Sequence, residues 1–353
     1  MKRPRVVPLL LPLASLGAGL AVLAVFFSVL GYDPVLALGA MVRGAFGSWY
    51  AFASGTLVRA IPLMLIALGF TVGRRAGVLN IGGEGQFYAG AVAAAWIGLK
   101  LGAWPGFAAT TAVLAVAVVA GACWVAVPAW LRLRFGVLEV ISTLLLNFVA
   151  EALVSLMVQG PLQEAKGVYP QSDLIAGSAR LAILPGTRLH TGFFLAVLLA
   201  ATGQLLFDRT LWGFRLKAAG AGPRAAWMTG RINAGRMMAV ALLVSGALAG
   251  LGGSVEVTGV TYALFQNLSP GFGFTAIAVA LLARGQPLGI VATGVLFGAL
   301  DAGAGAMQRE AGIPSVAVFV VQAVIIVVVL LAEVMARRRR ALRVYPDAAE
   351  VPA

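Results

Sequence analysis

Residues 73–90 read Gly-Arg-Arg-Ala-Gly-Val-Leu-Asn-Ile-Gly-Gly-Glu-Gly-Gln-Phe-Tyr-Ala-Gly, and this stretch decides how the chain can fold. It lies between two long apolar runs, where a short polar turn is expected, but its polar residues continue into the apolar run that follows. A charged side chain at the centre of a membrane helix costs roughly 2.5–3.5 kcal/mol on insertion scales. We therefore expect the stretch to be buried in protein or to line a wet cavity.

The composition indicates a membrane protein. The chain has 353 residues, of which 61% are hydrophobic and 11% charged, and its mean hydropathy is +0.96. Soluble domains carry about 25% charged residues, so a soluble fold is excluded. At about 20 residues for each spanning helix, the apolar runs allow about ten spans. Short alternating strands are missing from the sequence, which disfavours an outer-membrane barrel and predicts an all-α polytopic membrane protein.

The apolar runs predict where the membrane helices lie. The expected spans cover about residues 7–30, 56–72, 79–101, 107–131, 138–158, 191–207, 237–257, 272–282, 288–307 and 314–335. A mixed piece at about residues 35–46 is amphipathic and predicts an interfacial helix. Gly246 and Gly250, with Gly252 and Gly253 close by, predict a close approach between helices.

The basic residues predict the orientation of the chain. Most of the 26 lysine and arginine residues fall on the same side as the N-terminus, which the positive-inside rule places in the cytoplasm. We expect both termini in the cytoplasm and a transmembrane domain over residues 1–336. It would carry an outer loop at 159–190 and a cytoplasmic loop at 208–236, followed by a basic tail at 337–353. The formal net charge of +13 follows from this topology, so no nucleic-acid partner is predicted.

Several kinds of chemistry are excluded by what the sequence lacks. One cysteine, Cys123, and one histidine, His190, rule out a disulfide framework and a Cys/His metal site within one chain. None of the lysines completes the Walker A pattern GxxxxGK[ST], so any ATP would bind another chain. The sequence shows no triad or carboxylate pair with an argued geometry, and we expect neither enzyme activity nor a cofactor.

A small set of residues is placed to line a solute pathway or to form a gate. The candidates are Asn80, Glu84, Gln86, Asn147, Glu151, Phe272 and Phe274. Asn147 and Glu151 are four residues apart and share one helix face, while Phe272 and Phe274 follow a proline and a glycine and suit a bound ring. The alternatives are interhelical hydrogen bonds, worth about 0.6 kcal/mol on average, and for the phenylalanines a plain loop.

The predicted cytoplasmic loop at residues 208–236 favours a short helix. Pro223 suits the first helical position and Gly230 suits the end. The helix would be amphipathic and would present Trp227 and Met228, either to a protein partner or to the lipid headgroups of the membrane surface.

Two motifs resemble a known family. Residues 79–86, LNIGGEGQ, followed by Gly90 and Ala91, resemble the NIG-x-EGQ…GA signature of ABC importer permeases for nucleosides and simple sugars. These permeases belong to the wider branched-chain amino acid/ribose permease superfamily. Residues 218–226, with Gly230 and Ile232, resemble the cytoplasmic coupling loop of that family. The resemblance spans about residues 10–335.

The resemblance implies a multi-subunit importer in the bacterial cytoplasmic membrane. Such an importer has two permease subunits, two ATPase modules and an extracytoplasmic substrate-binding protein, which in the nucleoside branch resembles basic membrane lipoproteins. This chain is similar to the longer of two unlike permeases, which implies a heterodimer. The residues that the resemblance assigns to ATPase coupling are Gly220, Gly222, Pro223, Arg224, Ala225, Ala226 and Gly230.

The expected function is therefore that of the permease subunit of an ATP-binding cassette importer for a nucleoside or related small polar solute. The alternatives are a permease for a simple sugar or riboflavin, and a secondary transporter or channel that works alone. Arg74 and Arg75 would lie at the cytoplasmic surface, which makes residues 80–86 a cytoplasmic-side gate or packing hinge rather than a solute site at the midplane.

Overall fold

The computed structural model describes residues 21–228 and 232–314, together with residues 17, 19, 316, 317, 319–324 and 327. Its helices are α1 (Pro34–Phe46), α2 (Val58–Arg75), α3 (Gly83–Gly98), α4 (Gly106–Phe135), α5 (Glu139–Gln159), α6 (Gly192–Arg209), α7 (Leu211–Ala221), α8 (Pro223–Met228), α9 (Ala234–Glu256), α10 (Phe272–Leu282) and α11 (Pro287–Ala311). A π-helical segment, Ala51–Leu57, precedes α2, and a second one, Val257–Thr261, follows α9. The predicted all-α class is confirmed.

Six helices of the described part are long and apolar enough to cross a membrane. They are Ala51–Arg75, Gly106–Phe135, Glu139–Gln159, Gly192–Arg209, Ala234–Thr261 and Pro287–Ala311. The helices at two further predicted spans, α3 and α10, are shorter than 18 residues. About half of each of the predicted spans at residues 7–30 and 314–335 lies outside the described residues, and their described parts are helical at residues 21–29 and 319–324. The total of about ten spans therefore stays a prediction.

The third predicted span begins later than expected. We placed its start at residue 79, but α3 begins at Gly83 and residues 77–82 are not helical. Gly77 has a φ of +80°, and the Asn80 side chain accepts a hydrogen bond from the Gly82 amide at 2.9 Å. An asparagine that bonds its own neighbouring backbone in this way competes with helix formation, which delays the helix by four residues.

Helix α9 is the centre of the larger compact unit, which covers Phe52–Gly298. Glycines let its main chain touch its neighbours directly. A Cβ added at Gly90 of α3 would lie 2.1 Å from the Gly250 carbonyl oxygen, and one added at Gly121 of α4 would lie 2.2 Å from that of Gly246. The close approach predicted at Gly246 and Gly250 is thus confirmed. Small residues are the usual means of packing helices in lipid, where apolar burial between helices gives no advantage.

The smaller unit contains α1 and the last turns of α11. The Asp33 carboxylate caps α1 by accepting from the amides of Val35 and Leu36. A Cβ added at Gly303 would lie 2.4 Å from the Met41 side chain, so α1 rests closely on α11. The helix predicted near residues 35–46 is confirmed, while its interfacial position in the membrane stays a prediction.

The segment between α5 and α6 is tied by main-chain hydrogen bonds to the π-helical segment that follows α9 and to the residue after it. The Leu181 amide donates to the Thr258 carbonyl at 3.0 Å, and the Ile175 amide donates to that of Tyr262 at 2.8 Å. His190 ends this segment and is completely buried, and a Cβ added at Gly259 would lie 2.7 Å from its ring. Neither ring nitrogen has a hydrogen-bond partner among the described residues.

Burial of His190 predicts a pH-dependent stability. Desolvation lowers the pKa of His190 from its ordinary value of 6.5 to about 4. Between these values the unfolded chain binds the proton and the folded chain does not, so acidification favours unfolding. The thermal midpoint in detergent should fall between pH 7 and pH 5. It should fall less in His190→Phe, which keeps a ring on Gly259 and cannot titrate. Equal falls in both proteins would contradict the assignment.

Candidate gate and coupling site

The polar side chains of residues 80–86 form a closed cluster rather than an open cavity. The Asn80 amide donates to Gln86 Oε1 at 2.8 Å and to Ser245 Oγ on α9 at 2.9 Å. The Gln86 amide in turn donates to Asn80 Oδ1 at 2.9 Å. Asn80, Gln86 and Ser245 are all buried. The reciprocal pair of side-chain amides therefore fixes the non-helical segment to α3, and the bond from Asn80 to Ser245 fixes it to α9.

Helix α5 holds the same segment from the other side. Asn147 Oδ1 accepts from the Gly85 amide at 2.8 Å, and Asn147 Nδ2 donates to the Ile81 carbonyl at 3.0 Å. Thr143 Oγ1 accepts from the Ile81 amide at 3.3 Å. Because Thr143 and Asn147 are four residues apart, they face the segment together. Asn147 was predicted from the sequence, whereas Thr143 was missed, and its four-residue spacing was the signal that pointed to it.

Glu139 lies four residues before Thr143 and therefore on the same face of α5 as Thr143 and Asn147. Its Oε1 accepts from the Leu79 amide at 3.0 Å, and its other oxygen forms an ion pair with Arg132 at the end of α4. Glu139 is buried, so the carboxylate is stabilised only because both of its oxygens have partners. The ion pair joins the end of α4 to the start of α5. It lies next to Leu79, at the start of the polar segment, which we define as residues 78–86.

Glu84, the second residue of α3, lies against the N-terminus of α10. Its Oε2 accepts from the Gly273 amide at 2.5 Å, and Ser269 Oγ accepts from the Phe272 amide at 2.9 Å. These bonds satisfy amides that the first turn of a helix leaves free, and a carboxylate is favoured at the positive end of the helix dipole. A Cβ added at Gly273 would lie 2.2 Å from the Glu84 nitrogen, so only glycine permits this contact.

The remaining pathway candidates are not brought together. Phe272 is buried and meets Phe87 edge-on, with ring centroids 5.8 Å apart, whereas Phe274 is 47% exposed. Glu151 is exposed on α5, although Asn147 one turn earlier is buried. The pathway or gate roles of all seven candidates stay predictions.

The predicted coupling loop forms two helices. Helix α7 ends at Ala221, Gly222 makes the break, and Pro223 occupies the first position of the six-residue α8, as expected. Arg224 and Ala225, which are predicted to take part in ATPase coupling, are exposed. Trp227 and Met228 are also exposed, at 71% and 81%, while Ala226 is buried. Gly230 lies outside the described residues.

Gly220 carries a contact that the sequence did not reveal. A Cβ added there would lie 2.2 Å from the Arg75 carbonyl oxygen and 2.7 Å from the Gly77 nitrogen. The last turn of α7 therefore rests main chain to main chain on the turn that opens the polar segment. Residues 75–77 and Gly220 are far apart in the chain, and neither motif shows that the other is near.

The chain matches one family profile over most of its length. The profile describes the permease component of a branched-chain amino acid transport system, and it covers residues 52–330. That range includes the whole polar segment and the loop of α7 and α8. No solved structure gives a significant match.

Several curated proteins are similar to this chain. A glucose ABC transporter permease protein of Haloferax volcanii is 33% identical over 93% of this chain and 88% of its own length. A guanosine ABC transporter permease protein of Bacillus subtilis is 33% identical over 90% of this chain and 91% of its own. A second, different guanosine ABC transporter permease protein of Bacillus subtilis is 29% identical over 69% of this chain and 78% of its own.

Removal of the Asn147 amide should destabilise the folded protein. In Asn147→Leu the Ile81 carbonyl and the Gly85 amide lose their partners, at a cost of about 1–3 kcal/mol for each buried group. The thermal midpoint in detergent should fall clearly. Phe148→Leu, at the exposed neighbouring position, is the matched control and should leave the midpoint nearly unchanged. An unchanged midpoint in Asn147→Leu would show that these bonds are dispensable.

Proposed function

The chain belongs to the branched-chain amino acid transport system permease family, and we propose that it moves a nucleoside or related small polar solute through an ATP-binding cassette importer. One observation carries this proposal. A guanosine permease aligns with 90% of the chain, including both the polar segment and the coupling loop. A multi-pass permease of this kind would act in the cytoplasmic membrane of a bacterium, and it would receive its solute from an extracytoplasmic binding lipoprotein.

The exposed face of α8 is the proposed contact for the ATPase. Arg224, Ala225, Trp227 and Met228 are exposed, while Gly220 anchors the preceding helix. Exposed tryptophan and arginine are typical of residues that carry binding energy in protein interfaces. ATP hydrolysis would take place on the separate ATPase subunit, since this chain has no Walker A motif.

A second, unlike permease is the proposed partner within the membrane. Two different guanosine permeases of one bacterium are both similar to this chain, one over 90% and the other over 69% of its length. The chain aligns more completely with the first of them. This pattern supports a heterodimer in which our chain is the longer subunit.

Glu151 is the proposed pathway residue. It is an exposed carboxylate on α5, a helix that is otherwise apolar enough to cross a membrane. Ionisable residues within membrane helices face protein or a water-filled cavity rather than lipid. We assign the face of α5 around Glu151 to the solute passage or to the wet interface with the second permease.

The buried polar residues have a different proposed role. The side chains of Asn80, Glu84 and Asn147 are engaged in hydrogen bonds to neighbouring helices, and that of Gln86 is paired with Asn80. They suit a gate or packing hinge, which changes conformation as a unit, better than direct contact with the solute. This supports a cytoplasmic-side gate at residues 80–86.

The substrate alternatives are a simple sugar or riboflavin, and the mechanistic alternative is a secondary transporter or channel. The similarity to a glucose permease keeps the sugar in consideration. Identification of the ligand of the cognate binding protein distinguishes the solutes, because that protein selects the substrate in such systems.

Reconstitution tests the importer mechanism. Proteoliposomes that contain the permeases and the ATPase should take up solute only with ATP and binding protein, and Ala225→Glu should abolish uptake while membrane insertion persists. The added carboxylate would lie on the exposed contact face of α8, where it is buried only on docking, at a cost of several kcal/mol.

Ala225→Ser is the matched control, since it is small and neutral at the same site. It should transport as the native protein does. Gradient-driven flux through the purified chain alone, without ATPase or binding protein, would overturn the importer mechanism.

Glu151→Leu tests the solute passage. If Glu151 faces water in the assembled importer, the leucine should leave insertion and ATPase binding intact and reduce uptake strongly. If Glu151 instead faces lipid, the leucine should leave uptake unchanged and raise the thermal midpoint, because removing a charge from lipid relieves a cost of roughly 2.5–3.5 kcal/mol. Unchanged uptake together with a raised thermal midpoint would reject the pathway assignment.

A further inference from the structure

The turn at residues 75–77 is in direct main-chain contact with α7. Gly77 has a φ of +80°, a conformation that favours glycine, and a Cβ added there would lie 3.0 Å from the Gly220 Cα. From the other side, a Cβ added at Gly220 would lie 2.2 Å from the Arg75 carbonyl oxygen. Two glycines thus let two backbones touch where no side chain fits between them.

Both partners of this contact are held in place. Leu216 of α7 is completely buried and packs in one apolar cluster with Val72, Ala76 and Val78. The Arg75 guanidinium lies 3.9 Å from the centre of the Phe207 ring on α6 and donates to the Gly285 carbonyl at 3.2 Å. Because close-packed interiors have low compressibility, a displacement of α7 must move the turn rather than be absorbed by side chains.

The turn leads directly into the polar segment. Beyond Gly77 the chain stays non-helical until Gly83, and on this path Asn80 is bonded to Ser245 of α9. One residue into α3, Glu84 is bonded to Gly273 of α10. A movement that reaches Gly77 is therefore passed by hydrogen bonds to two membrane helices.

We propose that the contact between Gly220 and the turn at residues 75–77 is the point at which movement of the coupling loop enters the membrane helices. This rests on the proposed function, because it assumes that an ATPase moves α7 and α8. It assigns Gly77, Gly220 and Arg75 as positioning residues of the transport step. All three lie outside the exposed face of α8 that is the proposed contact for the ATPase.

The test is the ratio of solute imported to ATP hydrolysed by the reconstituted complex. In Gly220→Ala the new methyl group must push the turn away from α7, and the ratio should fall about tenfold, the scale at which single residues change coupling between sites. Co-purification with the ATPase and the rate of ATP hydrolysis should stay close to native values. A purely structural defect would lower assembly and hydrolysis together with uptake.

Gly235→Ala at the start of α9 is the matched control. A Cβ there would meet the Leu133 side chain at 3.4 Å, an ordinary contact, so the ratio should be native. Should Gly220→Ala fail to assemble, Arg75→Gln decides the question, because it adds no bulk and removes the Phe207 and Gly285 contacts that hold the turn. The ratio should fall in this variant also.

Two outcomes overturn the proposal, and they can be told apart. Native complexes that import no solute with ATP overturn the proposed function and this inference with it. Native complexes that import solute, with an unchanged ratio in an assembled Gly220→Ala or in Arg75→Gln, overturn this inference alone.

Discussion

The structure depends on one constraint, which is that the non-helical backbone of residues 77–82 must find its hydrogen-bond partners inside the protein. An unsatisfied amide or carbonyl in hydrocarbon costs several kcal/mol, and no water is available there. The partners are side chains from neighbouring helices, with Glu139 at the Leu79 amide and Asn147 at the Ile81 carbonyl. The break in the helix is thus maintained by α5, and a shift of α5 or of the segment would expose polar groups of both.

The same segment also determines where α9 and α10 lie. Asn80 donates a hydrogen bond to Ser245 of α9, and Glu84 accepts one from the Gly273 amide in the first turn of the short α10. The polar residues that are conspicuous in the sequence are therefore occupied with holding backbone and helix ends. The groups that are exposed for contact with a solute or a partner are instead Glu151 and the exposed face of α8. The proposed gate, solute passage and ATPase contact fall on different parts of the chain for this reason.

Features that depend on neighbouring residues were predicted from the sequence more accurately than features that depend on contacts between distant residues. Helix α10 was predicted from Phe272 to Leu282, because its apolar run follows a proline and a glycine, and in the structure that glycine has a φ of +93°. The start of α3 was placed four residues early, since the Asn80 turn is hidden among apolar neighbours. Pro223 marked α8 correctly, whereas the packing of α7 on the Gly77 turn left no sign in either motif.

The sequence by itself determined the membrane class, the all-α fold and the family, since composition, hydrophobic runs and the LNIGGEGQ motif are properties of adjacent residues. Only the tertiary structure decided what those polar residues do. Glu84 and Gly273 are 189 positions apart, and Gly220 meets the turn at residues 75–77 across several intervening helices. Such pairings depend on how glycine-lined helices pack around α9, and packing between distant segments is set by the whole chain rather than by any motif in it.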